Sequence, residues 1–188
     1  MKILGIDPGS RVSGYAIIEL NQLKMNYIHS GVIRPEIGSD FFSRLPSIYS
    51  KFQEVIENYS IDYVAIESLI HVKNVVSLSK LAQARGAMLA SVAKAGAQVF
   101  EYSPNKVKSS VSGYGHADKE MIHLSIERIL GQKIKCATHD ESDALAIAIT
   151  HGIEWMGRIP GKNSKTQRIF SRKSGSLAAS INPDRIKR

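Results

Sequence analysis

The chain carries only one cysteine and one tryptophan, and aromatic residues make up 7% of it. The lone thiol, Cys136, has no partner for an internal disulfide, and a single cysteine of this kind usually serves as a small apolar filler. No apolar run approaches the ~20 residues needed to cross a bilayer. The opening Met1-Lys2-Ile3-Leu4-Gly5-Ile6-Asp7 does not read as a signal peptide, because an acid interrupts it early. These features predict a soluble protein of the reducing cytoplasm with no membrane association. The chain has 188 residues, 43% of them hydrophobic, which suits one domain with a proper core.

Acids are scarce at one end of the chain. Lys and Arg number 25 against 17 Asp and Glu, for a net charge of +8. Nine of those bases but a single acid, Asp184, lie beyond Gly157, so the first 157 residues are balanced. The basicity therefore belongs to a terminal arm. Such an arm either contacts phosphates or simply solubilises the chain, and composition leaves both readings open. Pro160, Gly161 and a Ser/Lys/Arg-rich composition predict a flexible tail. The expected division is a folded domain over 1–157 and a basic tail over 158–188.

Patterning within the domain predicts strands over 2–7, 14–20, 24–34, 62–67 and 98–102. Helical spacing predicts helices over 41–59, 75–95, 119–130 and from Thr138 to about Met156, with a short one beginning at Pro104. Three strands joined by short links, then strands separated by helices, imply an α/β fold. Its mixed five-stranded sheet would be flanked by helices.

The acids that are present sit in unusual places. Asp7 closes an apolar strand in which Ile3, Gly5 and Asp7 share a face. Glu67 closes another, Tyr63-Val64-Ala65-Ile66-Glu67. Unpaired charge at the end of a buried strand costs several kcal/mol, at roughly the 2–7 kcal/mol scale of buried polar groups or above it. If the two strands are parallel neighbours, ~4.8 Å apart, the carboxylates converge and repel unless a cation or a proton intervenes. Asp140 and Asp143, three residues apart, project from one side of the turn that opens the last helix. Thr138 and Glu141 fit a capping box there. Acids at a helix N-terminus also complement its dipole, so Asp140 admits both readings, whereas Asp143 is followed by a buried apolar run. Carboxylates alone suit hard cations, Mg²⁺ or Mn²⁺, and two such ions can clamp a phosphodiester. Pro8-Gly9-Ser10 with Gly14 is either a phosphate-binding turn or a tight hairpin.

These residues form a familiar series. Gly5-Ile6-Asp7-Pro8-Gly9-Ser10 with Gly14-Tyr15, Ala65-Ile66-Glu67, Lys73-Asn74 and Gln83-Ala84-Arg85-Gly86 resemble the RuvC family of Holliday-junction resolvases. So do Val107-Lys108, Gly113-Tyr114-Gly115, Lys119 and Asp143-Ala144-Leu145-Ala146-Ile147-Ala148-Ile149-Thr150-His151. The resemblance runs in order over residues 3–152. It implies a ribonuclease H-like fold, a homodimer, and Mg²⁺-dependent symmetrical nicking of four-way DNA junctions in recombination and repair. It also implies cooperation with a branch-migration helicase. The family's four acidic positions fall on Asp7, Glu67, Asp140 and Asp143, and its phosphate-contacting lysines on Lys108 and Lys119. Lys73 and Arg85 are further candidates for phosphate contact. The sequence departs from the family at Ile70, where relatives carry an aromatic that stacks in the junction centre. An apolar wedge still parts bases but stacks less, and the neighbouring His71 is a candidate to stack instead.

The expected mechanism has Asp7 bridging two metal ions, with Glu67 and Asp140 on one and Asp143 on the other. One ion activates a water and the other stabilises the leaving 3′-oxygen. Mn²⁺ would substitute for Mg²⁺. The helix over 75–95 has apolar residues that serve either the monomer core or a dimer face. Three rivals remain: a nucleotide-binding ATPase, for which the chain lacks room for a second domain, a junction-binding protein without catalysis, and a nuclease for RNA or other branched substrates.

Overall fold

In a computed structural model of the chain, which describes residues 1–35, 40–69 and 74–157 together with a strand at 168–170, a single mixed sheet organises everything else. Strand β1 (Lys2–Asp7) pairs antiparallel with β2 (Ser13–Asn21), and β2 pairs antiparallel with β3 (Lys24–Ile33). Helix α1 (Arg44–Tyr59) then crosses to β4 (Tyr63–Glu67), which lies parallel to β1. Helix α2 (Val75–Ala95) crosses to β5 (Gln98–Tyr102), parallel to β4. Three helices follow: α3 (Pro104–Ser112), α4 (Lys119–Leu130) and α5 (His139–Met156). The strand order is β3-β2-β1-β4-β5, which makes the mixed, helix-flanked sheet of five strands that the pattern predicts, with a sixth strand added at the β5 edge.

That sixth strand, β6 (Arg168–Phe170), falls within the basic tail, where the sequence pattern announced no strand. It pairs antiparallel with β5 at Val99 and Phe100. The edge of β5 otherwise presents unpaired backbone groups, which any short extended segment can satisfy. Three residues are too few to announce themselves by periodicity.

Alternation along the strands divides the core in two. Ile3, Ala16, Ala65 and Phe100 face α3, α4 and α5, whereas Leu4, Ile17, Ile66 and Val99 face α1 and α2. Helix α5 is apolar on almost every side because it is buried on almost every side, packing over β1 to β4 with α3 and α4 against its other flank. Gly5 is what lets α5 lie so close: a Cβ there would stand 2.1 Å from the Ala144 carbonyl oxygen. His151 is fully buried within this layer, its Nδ1 2.7 Å from the Tyr102 hydroxyl.

Local signals explain most boundaries. Asn74, Ser103, Asp118 and Thr138 each accept backbone N–H bonds at the starts of α2, α3, α4 and α5. Gly96, Gly113 and Gly131 end α2, α3 and α4 in the left-handed region that glycine tolerates. Helix α1 begins three residues later than its apolar pattern suggests. The Ser43 amide donates to the Asp40 carboxylate and the Ser43 hydroxyl to the Asp40 carbonyl, and this turn holds Phe41 and Phe42 out of the helix. Among the described residues no helix is long and apolar enough to cross a membrane.

Candidate active site

The parallel pairing of β1 and β4 decides where the first two acids go. Ile6 lies opposite Ile66, so Asp7 and Glu67, each the next residue, leave the same end of adjacent strands. Both side chains point to the α5 face, because they alternate with Ile6 and Ile66 on the other. On its other side Asp7 pairs with Gly14 of β2. A Cβ on Gly14 would stand 1.9 Å from the Asp140 carbonyl oxygen, so the first turn of α5 rests directly on that glycine. Asp140 and Asp143 are thereby delivered beside Asp7.

A polar tie holds the start of α5 in place. Thr138 Oγ1 accepts from the Glu141 amide and donates to Glu141 Oε1, and Glu141 Oε2 accepts from the Ser30 hydroxyl at 2.9 Å. Glu141, read from the sequence as a cap, thus also fastens α5 to β3, and it is buried. The sequence carries no signal for this tie, because Ser30 and Glu141 are 111 positions apart.

Asp7, Glu67 and Asp143 line a cleft of about 650 Å³ between the strand ends and α3, α4 and α5. Lys108 of α3, Lys119 at the start of α4 and His139 line it too. The electrostatics are those of crowded acid. The Asp7 carboxyl is pushed up to about 7, first by burial and then by Glu67, Asp143 and Asp140, with Lys119 pulling against them. Burial also raises Glu67, with Asp143 adding to it and Lys108 and Arg85 opposing. Asp143 is raised by burial and by Asp140, against Lys119, His139 and Lys108. Among the described residues none of the four acids has an ion-pair partner, and no three His, Cys, Asp or Glu side chains already stand together as a metal cage. The lysines temper the acids without neutralising them. This oxygen-only, mutually repelling set fits a hard divalent cation, which would relieve the repulsion that the protein leaves standing.

The other residues singled out from the sequence fare differently. Lys108 and Lys119 come to the cleft from separate helices. Arg85 does not: it is 6% exposed, on the opposite face of the sheet, with Nη2 donating to Glu101 Oε1 at 2.7 Å. A guanidinium held there is not offered to DNA, which corrects its reading as a phosphate contact. Ile70, His71 and Lys73 lie outside the described residues. The Gly9 turn is closed by Ser13, whose hydroxyl accepts from the Gly9 amide and donates to the Gly9 carbonyl. The Gly9 amide is therefore engaged within a hairpin, as the tight-turn reading requires, and is not left free for a phosphate. Cys136 lines the cleft half-buried, and burial raises its thiol.

A sheet of this order, its central parallel pair ending in acids beneath a buried helix, is a ribonuclease H-like fold. The yeast mitochondrial Holliday junction resolvase Ydc2 shares the fold, at 16% identity and a TM-score of 0.59 over 83% of this chain and 80% of that one. Nearer relatives resolve the family. The model of crossover junction endodeoxyribonuclease RuvC matches residues 3–151. The crossover junction endodeoxyribonuclease RuvC of Geotalea uraniireducens is 41% identical over 170 residues, covering 88% of this chain and 99% of that protein. The RuvC of T. thermophilus, solved in complex with a Holliday junction substrate, superposes with a TM-score of 0.80 at 29% identity, over 90% of this chain and 99% of that one. The chain belongs to the RuvC family of crossover junction endodeoxyribonucleases.

Proposed function

We propose that this protein resolves four-way DNA junctions by divalent-metal-dependent hydrolysis, cutting one phosphodiester on each of two opposed strands. One observation carries the reading: Asp7, Glu67 and Asp143 converge in a single cleft that Lys108 and Lys119 also line. A protein that only bound DNA would gain nothing from unpaired acids beside its phosphates. In this reading the nuclease domain spans 1–157, and the basic arm of 158–188 follows it, returning a strand at Arg168–Phe170 to the domain's sheet.

The side chains divide the work. Asp7, Glu67, Asp140 and Asp143 would hold Mg²⁺, two ions in all, with Mn²⁺ able to substitute. Divalent cations held there would supply activation of a water and stabilisation of the leaving 3′-oxygen, which would give 5′-phosphate and 3′-hydroxyl ends. Lys108 and Lys119 draw the backbone into the cleft and balance its charge as the scissile phosphate approaches the acids. The rigid seat of α5 on Gly5 and Gly14 keeps the acids from spreading apart.

Paired cuts call for paired active sites. Helix α2 buries Ala84, Met88 and Val92 against the sheet and leaves Val75 and Val76 exposed, at 76% and 64%. A two-fold dimer covering that outer side places two clefts on a two-fold substrate. In recombination and repair the dimer works beside a branch-migration helicase.

Nicking of a synthetic four-way junction tests the whole reading. With Mg²⁺ the wild type gives paired symmetrical nicks on the junction and none on linear duplex, while Glu67→Gln binds the junction and leaves it intact. Tight binding without cutting by either protein, with any divalent ion, would return the chain to the class of structural binders. Cutting of branched RNA in preference to DNA would move the substrate but keep the chemistry. Sedimentation showing only monomer at working concentration would remove the dimer.

A further inference from the structure

Arg85 is buried on α2, on the face that carries Ala84, Met88 and Val92 into a layer whose other buried α2 residues are apolar apart from the small Ser91. Burying a guanidinium there is costly, and an aliphatic side chain of similar volume would pack the layer at least as well. What the arginine adds is a fork. Nη2 donates to Glu101 Oε1 on β5, and Nη1 donates to the main-chain carbonyl oxygen of Glu67 at the end of β4. That carbonyl sits where the sheet gives out. Pairing of β4 with β1 stops at Ile66, one residue short of Glu67, and the next bond along β4 is from the Ser68 amide to the Tyr102 carbonyl on the β5 side.

We propose that Arg85 is a positioning residue for Glu67, acting across the sheet. The carboxylate of Glu67 projects into the cleft on the α5 face, where Asp143 repels it. From the α2 face, Arg85 grips the peptide that follows Glu67 and ties it to β5 through Glu101. The tie stops the strand end from swinging the carboxylate away from its neighbours when no cation is bound. Glu101 is the anchor that orients the fork: it lies opposite Ile66 in the β4–β5 register, and its side chain shares the α2 face. Arg85 never meets substrate in this role, so its effect reaches the reaction only through Glu67.

This inference rests on the function proposed above and is tested apart from it. Arg85→Lys keeps the charge and the Glu101 partner but replaces the planar fork by one nitrogen on a shorter reach, in place of the two nitrogens with which the guanidinium meets its two acceptors. Arg85→Met combined with Glu101→Met removes the pair without leaving a buried charge, and covers the case in which the lysine fails to fold. Each is compared with wild type by melting temperature, junction affinity in EDTA, Mn²⁺ binding to the metal-free protein by electron paramagnetic resonance, and kcat and KM on the junction. The expected result is a folded protein with junction affinity and KM within about twofold of wild type, Mn²⁺ binding weakened about tenfold, and kcat lowered about 10–100-fold, the usual effect of losing a group that orients a metal ligand. A folded variant that binds Mn²⁺ and turns over like wild type overturns the proposal, as does loss of folding in both variants, which would make Arg85 a residue of the fold at large. A wild type that neither binds Mn²⁺ nor cuts junctions overturns the proposed function and this inference together. A wild type that does both, beside an unaffected variant, overturns the inference alone.

Discussion

Replacing Asp7 by asparagine should make the metal-free protein more stable while abolishing its activity. The carboxyl is pushed up from 3.8 to about 7 in the fold, chiefly by burial and then by three other acids. A folded-state pKa above the unfolded one means that the native protein holds its proton longer. Stability is therefore undiminished below about pH 4, falls as pH rises towards 7 and is level above that. At ~1.4 kcal/mol per pH unit, the displacement amounts to about 4 kcal/mol in alkaline solution. An asparagine still carries a desolvation cost of ~1–2 kcal/mol for its amide, which leaves a net gain of about 2–3 kcal/mol. For a chain of this size that is a rise in melting temperature of about 5–10 °C. The assay is urea or thermal unfolding in EDTA at about pH 8.5 and about pH 4, on wild type and Asp7→Asn. The gain appears at the higher pH and is gone at the lower, where the variant is about 1–2 kcal/mol less stable than wild type because only the amide's desolvation cost remains. Mg²⁺ added at the higher pH then stabilises wild type and not the variant, because only the carboxylate set binds it. A variant no more stable than wild type at about pH 8.5, or one with the same gain at both pH values, would refute the argument that crowded acids strain this site.

Three further substitutions separate the seat of the helix, the core and the lysines. Gly14→Ala places a Cβ 1.9 Å from the Asp140 carbonyl oxygen and must lift the first turn of α5. Its expected cost is about 1–3 kcal/mol in unfolding free energy, with cutting slowed about 100-fold, as a misplacement of ~1 Å commonly does. Phe52→Ala empties a fully buried position on the α1 face. Denaturant titration should show a loss of about 3–5 kcal/mol, while kcat at low temperature stays near wild type because the cleft is on the other face. Lys108→Ala and Lys119→Ala should each weaken junction binding and flatten the slope of log affinity against log salt by about one unit, with an unchanged slope counting against phosphate contact.

Where the sequence spoke clearly, a local cause stands behind it. The bounds of α2, β5 and α4 follow from caps, glycines and alternation, all of which act within a few residues. Where it misled, the cause was a contact the pattern cannot register. Asp40 and Ser43 stop α1 from starting at Phe41. An unpaired sheet edge recruits Arg168–Phe170 from a segment whose composition promised nothing. Arg85 looked like one more base in a chain rich in them. Its spacing from Met88 and Val92, three and seven residues on, was the available sign that it faces inward.

The sequence by itself determined the strands, the helices and the two acids that close apolar strands, because alternation and hydrophobic period are properties of neighbouring residues. It marked Asp140 and Asp143 as one face of a helix start for the same reason. Convergence was not among the things it could settle. That Asp7 and Glu67 share one end of the sheet depends on the parallel pairing of β1 with β4, across a helical crossover. That α5 brings its acids to the same place depends on two glycines with no side chain to hold it off. Nor did the sequence show that Glu67 is gripped from behind by an arginine on the far face. These are distances between residues remote in the chain, and only the packing of the sheet and its two helical layers sets them.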